Sequence, residues 1–216
     1  MAGKLIHILK GFLNLLFPQK CLKCGSPHVI ICDKCLNTLP YPEDGLRVSK
    51  SVFKNVFAAT SYKDETVKKV IWLFKYKGAK TLAEPLAGLI YRRLKIHMDS
   101  CVIIPIPVYK KRLKERGYNQ AELLAHFLSD KMSVRFLPDV LYKIKETVSQ
   151  VKIKDRDERL RNVKGVFEVK NLRAVKNKTV ILVDDITTTG ATLAEAGRVL
   201  KQAGAKEIIG VVVAKG

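Results

Sequence analysis

The stretch from Val180 to Thr192, with the sequence VILVDDITTTGAT, places the strongest constraint on how this chain can fold. Its first four residues are apolar and predict a buried strand. Two carboxylates, Asp184 and Asp185, follow at the carboxyl end of that strand, which is where open α/β sheets bind ligands. A loop of threonines and one glycine then leads into a predicted helix. Because backbone N–H groups, threonine hydroxyls and the positive end of a helix converge there, the loop predicts a phosphate site.

The two adjacent acids suit a different part of the same ligand, because carboxylates repel phosphate. Asp184 and Asp185 are suited to accepting hydrogen bonds from sugar hydroxyls or to holding Mg²⁺. A phosphate and a sugar together indicate a phosphosugar. The alternative is a strand followed by a threonine-rich helix cap with no ligand, and the order of two acids, three threonines and a glycine argues against it.

Four of the five cysteines form two CxxC pairs, Cys21 with Cys24 and Cys32 with Cys35. Two such pairs joined by a short loop have the spacing of a tetrahedral Zn²⁺ site, which is closed to substrate and structural by default. Two disulfides are the alternative, but the chain has no secretory signal and is expected in a reducing cytosol. His28 could replace one ligand and is expected instead to be a solvated loop residue. Cys101 opens an apolar run and is predicted to be a core residue.

Apolar periodicity through the rest of the chain predicts strands that alternate with helices. Strands are predicted at 56–62, 101–106, 180–183 and 208–213, with weaker ones near 141 and at 166–169. Helices are predicted from 64 to about 77, at 81–95, at 119–131 with Leu123, Leu124, Phe127 and Leu128 facing inward, and at 191–203. This alternation indicates an α/β fold with an open parallel sheet covered on both faces.

Two domains are predicted in the 216 residues. Residues 1–45 would hold an N-terminal amphipathic helix and the zinc module, and residues 46–216 would form the α/β domain. No apolar run reaches the roughly 18 residues that a membrane-spanning helix needs. We therefore expect a cytoplasmic protein that has no transmembrane segment.

The chain carries 40 Lys and Arg against 20 Asp and Glu, a formal net charge of +20. Residues 61–180 hold 28 of the basic and 13 of the acidic residues. Within them, the predicted loop that follows the strand at 101–106 is the densest basic stretch, and it suits a pyrophosphate or a nucleic-acid backbone. Its candidate ligand-binding residues are Lys110, Lys111, Arg112 and Arg116. The alternative is a solvated charged loop.

The Val180–Thr192 stretch resembles the signature of the type I phosphoribosyltransferases and matches all its positions. The resemblance implies ribose hydroxyl contacts for Asp184 and Asp185, and Mg²⁺ bound together with phosphoribosyl pyrophosphate. It implies a pyrophosphate loop at 110–116 and a mobile lid at 146–164. It further implies 5′-phosphate contacts for Thr187, Thr188, Thr189, Gly190, Ala191 and Thr192.

The order of motifs from Cys21 onward is similar to that of the ComF family of competence proteins. These motifs are the two CxxC pairs, FKYKG at 74–78, PIP at 105–107, RGYNQA at 116–121, NVKGVF at 162–167 and the phosphosugar loop. The resemblance implies a role in uptake of transforming DNA, at the inner face of the cytoplasmic membrane, with a DNA-import machinery as partner.

Three functions remain open at this level. The first is a competence protein that binds phosphoribosyl pyrophosphate or a related phosphosugar and single-stranded DNA, and the size of the charge surplus favours it because one pyrophosphate needs only a few cations. Tyr76, Tyr109 and Tyr118 lie among the basic residues and are candidates for base stacking, although a tyrosine in such a segment is more commonly a packing residue. The second is an active phosphoribosyltransferase with an unknown nitrogen acceptor. The third is a regulator that senses phosphoribosyl pyrophosphate.

Overall fold

A computed structural model describes residues 19–43, 52–94, 101–147 and 162–216. The chain divides into two compact units, Met1–Leu39 and Pro40–Gly216. The predicted N-terminal helix, the predicted domain boundary at residue 45 and most of the predicted lid lie outside the described residues. No helix in the described part of the chain is long and apolar enough to cross a membrane.

The first unit consists of tight turns and one short helix. Gly25 has φ +78°, a backbone conformation that favours glycine, and its N–H donates to the Cys21 carbonyl at 2.9 Å. Helix α1 (Asp33–Asn37) begins directly after Cys32. These turns bring four cysteines from two short segments to one place.

The second unit contains seven strands and six further helices among the described residues. The strands are β1 (Asn55–Ser61), β2 (Cys101–Pro105), β3 (Arg135–Phe136), β4 (Leu141–Lys143), β5 (Phe167–Val169), β6 (Thr179–Thr187) and β7 (Glu207–Lys215). The helices are α2 (Glu65–Tyr76), α3 (Ala83–Leu94), α4 (Lys110–Arg116), α5 (Gln120–Met132), α6 (Leu172–Val175) and α7 (Ala191–Gln202). A single 3₁₀ turn (Lys80–Leu82) leads into α3.

Five strands form one parallel sheet in the order β1-β7-β6-β2-β3. Strand β6 is central, and its Val180 lies opposite Ile208 of β7 and Val102 of β2. Because all five strands run in the same direction, the carboxyl ends of β2 and β6 meet at one edge, as the predicted α/β fold requires.

The two faces of the sheet are covered by different helices. On one face, Val180 and Leu182 of β6 pack in a core that includes Leu193 and Leu200 of α7. Helices α3 and α5 pack against each other, α3 against β1 and β7, and α5 against β2 and β6. Strands buried on both faces explain why β2, β6 and β7 consist largely of uninterrupted apolar residues.

Three expectations about local structure were wrong. The basic segment 110–116 is helix α4 and not a loop, because it lacks glycine and proline until Gly117, which ends the helix with φ +77°. Strands β4 and β5 pair antiparallel in a separate sheet instead of extending the parallel one. In α5, Leu124 and Leu128 are buried as expected, but Leu123 and Phe127 are only half-buried because they lie at the border of the apolar face.

Candidate functional site

The four cysteines of the first unit form one cluster whose sulfur atoms all lie within 4.8 Å of one another. Cys32 Sγ lies 3.8 Å from Cys21 Sγ and 3.6 Å from Cys24 Sγ. A tetrahedral Zn²⁺ with Zn–S bonds of about 2.3 Å separates its ligand sulfurs by about 3.8 Å. The cluster is therefore arranged to bind a metal ion with the dimensions of zinc. His28 is exposed, and Cys101 is buried in β2, as expected.

The thiols of this cluster differ in acidity. Burial raises the pKa of Cys21, but hydrogen bonds from the backbone of Cys24 and Cys32 outweigh that effect and lower it to about 6. Burial and the neighbouring sulfurs raise the pKa of Cys35 to about 12. A divalent cation would supply the charge that stabilises this last thiolate.

The second unit has a cleft of about 410 Å³ at the carboxyl ends of β2 and β6. Its lining brings together six of the twelve residues predicted to bind the phosphosugar: Asp184, Asp185, Thr188, Thr192, Arg112 and Arg116. The other six, Thr187, Thr189, Gly190, Ala191, Lys110 and Lys111, are not part of the lining. Among the further lining residues, Tyr62, Lys75 and Lys143 had no role in the phosphosugar site predicted from the sequence. The carboxylates, the threonines and the cations therefore face one space.

Asp184 and Asp185, here called the acid pair, lie near the carboxyl end of β6 and have different surroundings. Enclosure by protein raises the pKa of Asp184 to about 7, the negative charge of Asp185 adds to the rise, and Lys75 and Lys143 oppose it. The Asp184 Oδ1 atom accepts a hydrogen bond from the Asp185 backbone N–H at 2.8 Å. The side chain of Asp185 is only 7% exposed, and its Oδ1 lies 3.0 Å from Lys75 Nζ.

The threonine loop joins β6 to α7 as expected. Thr187 is the last residue of β6, and Gly190 caps α7 with φ +78°. Thr189 Oγ1 accepts from the Ala191 N–H at 3.4 Å, so the helix begins immediately behind the loop. The first N–H groups of a helix have no intrahelical acceptor, and α7 therefore presents a positive end beside Thr192 and the cleft.

Helix α4 divides its predicted ligand-binding residues between two sides. Arg112 and Arg116 line the cleft, and Arg112 Nη2 donates to the Thr147 carbonyl at 3.4 Å. Lys110 and Lys111 are exposed on the outer side, and Lys111 Nζ lies 3.4 Å from Glu146 Oε1. Because the segment is helical, the arginine pair and the lysine pair lie on different sides of it.

Two lysines that approach the acid pair were missed by reasoning from the sequence. Lys75 lies in the last turn of α2, within the lysine-rich FKYKG motif at 74–78. Lys143 lies on β4 and donates to Thr147 Oγ1 at 2.8 Å, and burial together with Arg112 lowers its pKa to about 8. The FKYKG motif was a signal for Lys75, whereas nothing around Lys143 in the sequence distinguished it.

The tyrosines considered for base stacking fall into two groups. Tyr76 and Tyr109 line the cleft, and Tyr76 is 56% exposed. Tyr118 is buried, and its hydroxyl donates to the Phe74 carbonyl. Tyr118 is therefore a packing residue, the alternative that the sequence favoured over base stacking.

Comparison with known proteins gives three findings. Residues 123–216 match the family model described as "Phosphoribosyl transferase domain". Competence protein F of Haemophilus influenzae is 33% identical over 206 residues, covering 89% of this chain and 82% of the relative. Competence protein ComFC of Bacillus subtilis is 32% identical over 207 residues, covering 93% and 79%.

A shorter match extends to proteins with a different name. The DNA utilization protein YhgH of Escherichia coli O6:H1 is 32% identical over 106 residues, covering 49% of this chain and 45% of the relative. The two longer matches extend over about nine-tenths of the chain. Together with the parallel sheet, the metal-type cysteine cluster and the phosphoribosyl transferase domain, they show that this chain belongs to the competence protein F/ComFC family.

Proposed function

We propose that this protein is a component of DNA uptake in natural transformation. It binds phosphoribosyl pyrophosphate, or a related phosphosugar, in the cleft, and single-stranded DNA on the adjoining basic surface, which consists of Lys110, Lys111 and Arg112. One observation carries the proposal: the acid pair, two threonines of the loop (Thr188 and Thr192) and two arginines (Arg112 and Arg116) line the same cleft. The names of the relatives, which refer to competence and to DNA utilization, support the biological role.

Each group has a chemical part in this proposal. Asp184 and Asp185 accept hydrogen bonds from ribose hydroxyls, and the loop Thr187–Thr192 with the start of α7 binds the 5′-phosphate. Arg112 and Arg116, with Lys110 and Lys111 further out, bind the pyrophosphate through charge-assisted hydrogen bonds. Mg²⁺ accompanies the diphosphate and neutralises part of its charge.

Zinc has a separate and structural part. A site with four cysteine ligands is closed to substrate, so Zn²⁺ in the first unit contributes to folding and not to chemistry. Cys21, Cys24, Cys32 and Cys35 are its proposed ligands.

The phosphosugar part is tested by calorimetric titration with Mg²⁺ and phosphoribosyl pyrophosphate. We expect saturable binding by the wild type and none by the variant with both Asp184→Ala and Asp185→Ala. The titration is repeated with single-stranded DNA present, and competition would place both ligands in one site. Equal binding by the wild type and the double variant would contradict the assignment of the acid pair.

The DNA part is tested through its dependence on salt. If exposed cations bind the phosphate backbone, affinity falls steeply as salt rises and weakens when Lys110, Lys111 and Arg112 are changed to Gln. A matched control changes three exposed cations near the amino end of β6, the opposite end from the cleft, namely Arg173, Lys176 and Lys178. Binding that is insensitive to salt, or equally weakened by the control, would overturn this part.

Phosphoribosyl transfer is a second candidate activity. Tyr62 and Trp72 line the same cleft as the acid pair, and they are candidate contacts for a nitrogen acceptor. Positioning and charge neutralisation of the diphosphate would supply most of the catalysis, and a dedicated base is not needed. The test is pyrophosphate release from phosphoribosyl pyrophosphate with a panel of bases and with water. No release above the Asp184→Ala, Asp185→Ala control would exclude turnover.

The proposed location is the cytoplasm, at the inner face of the cytoplasmic membrane, where a DNA-import machinery would be the partner. The basic surface supports it, because anionic lipid headgroups attract clusters of lysine and arginine. Fractionation of cells before and after a high-salt wash tests it. Release of the protein from membranes by salt is expected, and its absence from the membrane fraction at low salt would contradict the proposal.

A further inference from the structure

Three side chains at the junction of α4 and α5 converge on the last turn of α2: Arg116 ends α4, Gln120 begins α5, and Tyr118 lies between them. The Tyr118 hydroxyl and Gln120 Nε2 both donate to the Phe74 carbonyl, the latter at 3.2 Å. The Arg116 guanidinium lies 5.1 Å from the centre of the Tyr76 ring and donates to Gln120 Oε1 at 3.2 Å. Phe74 and Tyr76 are therefore held by three side chains that belong to every second residue of the segment, at positions 116, 118 and 120.

These contacts are buried and specific. Gln120 is 1% exposed and Tyr118 is 6% exposed, so each polar group needs an internal partner. The partner that they share is a carbonyl in the last turn of a helix, where carbonyl groups lack the usual intrahelical donor. The ring of Tyr118 also packs on that of Phe74, with centroids 5.9 Å apart. The two donors thus fix the backbone of α2 at Phe74.

The residue that lies between the two held positions is Lys75. Its Nζ atom lies 3.0 Å from Asp185 Oδ1, and the two side chains are 18% and 7% exposed. A lysine side chain has four rotatable bonds, so the direction of its ammonium depends on where the backbone places its Cα. Removing one partner of a largely buried ion pair is costly because it leaves the other charge uncompensated.

We propose that Tyr118 and Gln120 are positioning residues, which act through the Phe74 carbonyl to hold the ammonium of Lys75 against Asp185. The inference rests on the proposed binding of a phosphosugar at the acid pair. In this arrangement Lys75 holds one carboxylate in an orientation that can accept a hydrogen bond from a sugar hydroxyl. Tyr118 and the amide nitrogen of Gln120 thereby contribute to the site, and neither needs to touch the ligand.

The competing explanation is that Tyr118 and Gln120 only pack α2 against the body of the unit. The two explanations differ in how mutations combine. If Tyr118 acts through Lys75, its hydroxyl matters only while Lys75 is present. If it only stabilises the fold, Tyr118→Phe leaves the affinity of the folded protein unchanged. If it contributes to binding independently of Lys75, the two losses add in free energy.

The experiment is a double-mutant cycle of Tyr118→Phe and Lys75→Met, with the dissociation constant of Mg²⁺–phosphoribosyl pyrophosphate as the readout. Trp72, the one tryptophan in the chain, lines the cleft, so its fluorescence reports binding directly. Each single variant is expected to bind about tenfold more weakly, the usual effect of one lost hydrogen bond to a charged or buried group. The double variant is expected to bind no more weakly than Lys75→Met alone. Unchanged affinity in Tyr118→Phe, or multiplied losses in the double variant, would overturn the inference.

Three companion variants sharpen the cycle. Gln120→Met removes the second donor at similar volume and is expected to behave as Tyr118→Phe does. Lys75→Arg keeps the cation and is expected to restore most of the affinity that Lys75→Met loses. Tyr91→Phe removes the hydroxyl of an exposed tyrosine on α3, which is not part of the cleft lining, and is expected to leave affinity unchanged.

A measurement without ligand separates failure of this inference from failure of the proposed function. The ammonium of Lys75 is followed by ¹⁵N NMR and assigned by its loss in Lys75→Met. A paired and partly buried ammonium exchanges its protons slowly, and this signal is expected in the wild type and not in the variant with Tyr118→Phe and Gln120→Met. If the signal persists in that variant, the inference is wrong whether or not a phosphosugar binds. If no phosphosugar binds but the signal is lost, only the proposed function fails.

Discussion

Glu195 of α7 accepts a hydrogen bond from the backbone N–H of Gly165 at 2.8 Å. The same carboxylate receives two hydrogen bonds from Arg198, at 2.7 and 2.8 Å. Glu195 is only 8% exposed. Through its hydrogen bond with Gly165 it connects the segment before β5 to α7, the helix that begins at the threonine loop. Its position one turn into α7 makes it an anchor for the chain that leads into the small β4–β5 sheet.

Replacing Glu195 by Ala is expected to destabilise the protein, because it leaves the Gly165 N–H without this acceptor. The expected loss is about 1 to 3 kcal/mol in the free energy of unfolding, measured by urea denaturation. Glu195→Gln keeps an acceptor for Gly165 and loses only the charge opposite a partly exposed arginine, so its loss is expected to be about 0.5 kcal/mol. Equal losses in the two variants would contradict this role of the hydrogen bond.

Two helical glycines are expected to respond oppositely to the same substitution. A Cβ atom on Gly197 of α7 would lie 2.6 Å from Val52 Cγ1 and 2.8 Å from Phe53 Cζ, so Gly197→Ala overpacks the core and should cost about 1 to 3 kcal/mol. On Gly88 of α3 the nearest atom is the mobile end of Arg92, at 3.3 Å. Gly88→Ala should therefore stabilise the protein by about 0.5 to 1 kcal/mol through helix propensity.

Thermal and urea unfolding of both glycine variants check this prediction. The wild type is the common reference, and opposite signs are expected. A stabilised Gly197→Ala variant would mean that Val52 and Phe53 can move away without loss of packing.

The parts of the fold and site that the sequence predicted are local ones. Strand β6, the acid pair and the start of α7 follow one another along the chain, so an apolar run and the residues at its end are enough to infer them. The cysteine cluster is local in the same sense, because its spacing alone restricts the geometry.

The parts that could not be predicted depend on where distant elements meet. Lys75 reaches Asp185 only because α2 ends beside the carboxyl end of β6, and Lys143 reaches the cleft only because β4 pairs with β5 away from the main sheet. The strand order also places β7 between β1 and β6, which no local pattern specifies. Helix α4 was not predicted for a different reason. Its high charge suggested a loop, although no helix-breaking residue occurs in it before Gly117.

Removing one ligand of the cysteine cluster is expected to abolish stoichiometric metal binding. Protein purified without chelator should contain about one zinc per chain, and Cys24→Ser should lose most of it, because structural sites need all four ligands. Cys101→Ala is the matched control, since Cys101 is buried in β2 and does not belong to the cluster. Metal content is measured by elemental analysis. Full zinc content in Cys24→Ser, or its loss in Cys101→Ala, would contradict the assignment.

The raised pKa of Asp184 predicts that this residue destabilises the fold at neutral and higher pH. Its pKa is about 7 in the folded protein, against 3.8 for an ordinary aspartate, so the folded state binds the proton more tightly than the unfolded state. The free energy of unfolding therefore falls as the pH rises from about 4 to 7 and stays lower above that range. Asp184→Asn keeps an acceptor for the Asp185 N–H and removes the charge. It should stabilise the protein at pH 8 by on the order of 2 kcal/mol.

Urea denaturation of Asp184→Asn and the wild type at pH 8 and pH 5.5, with zinc present throughout, measures this effect. The gain from Asp184→Asn is expected to shrink to about half at pH 5.5, because the wild-type carboxyl is then protonated in the folded state. Asp185→Asn is the contrasting variant, since it removes the partner of Lys75 and should destabilise the protein at pH 8. A gain from Asp184→Asn that is the same at both pH values would show that the stabilisation has a cause other than the charge of this carboxylate.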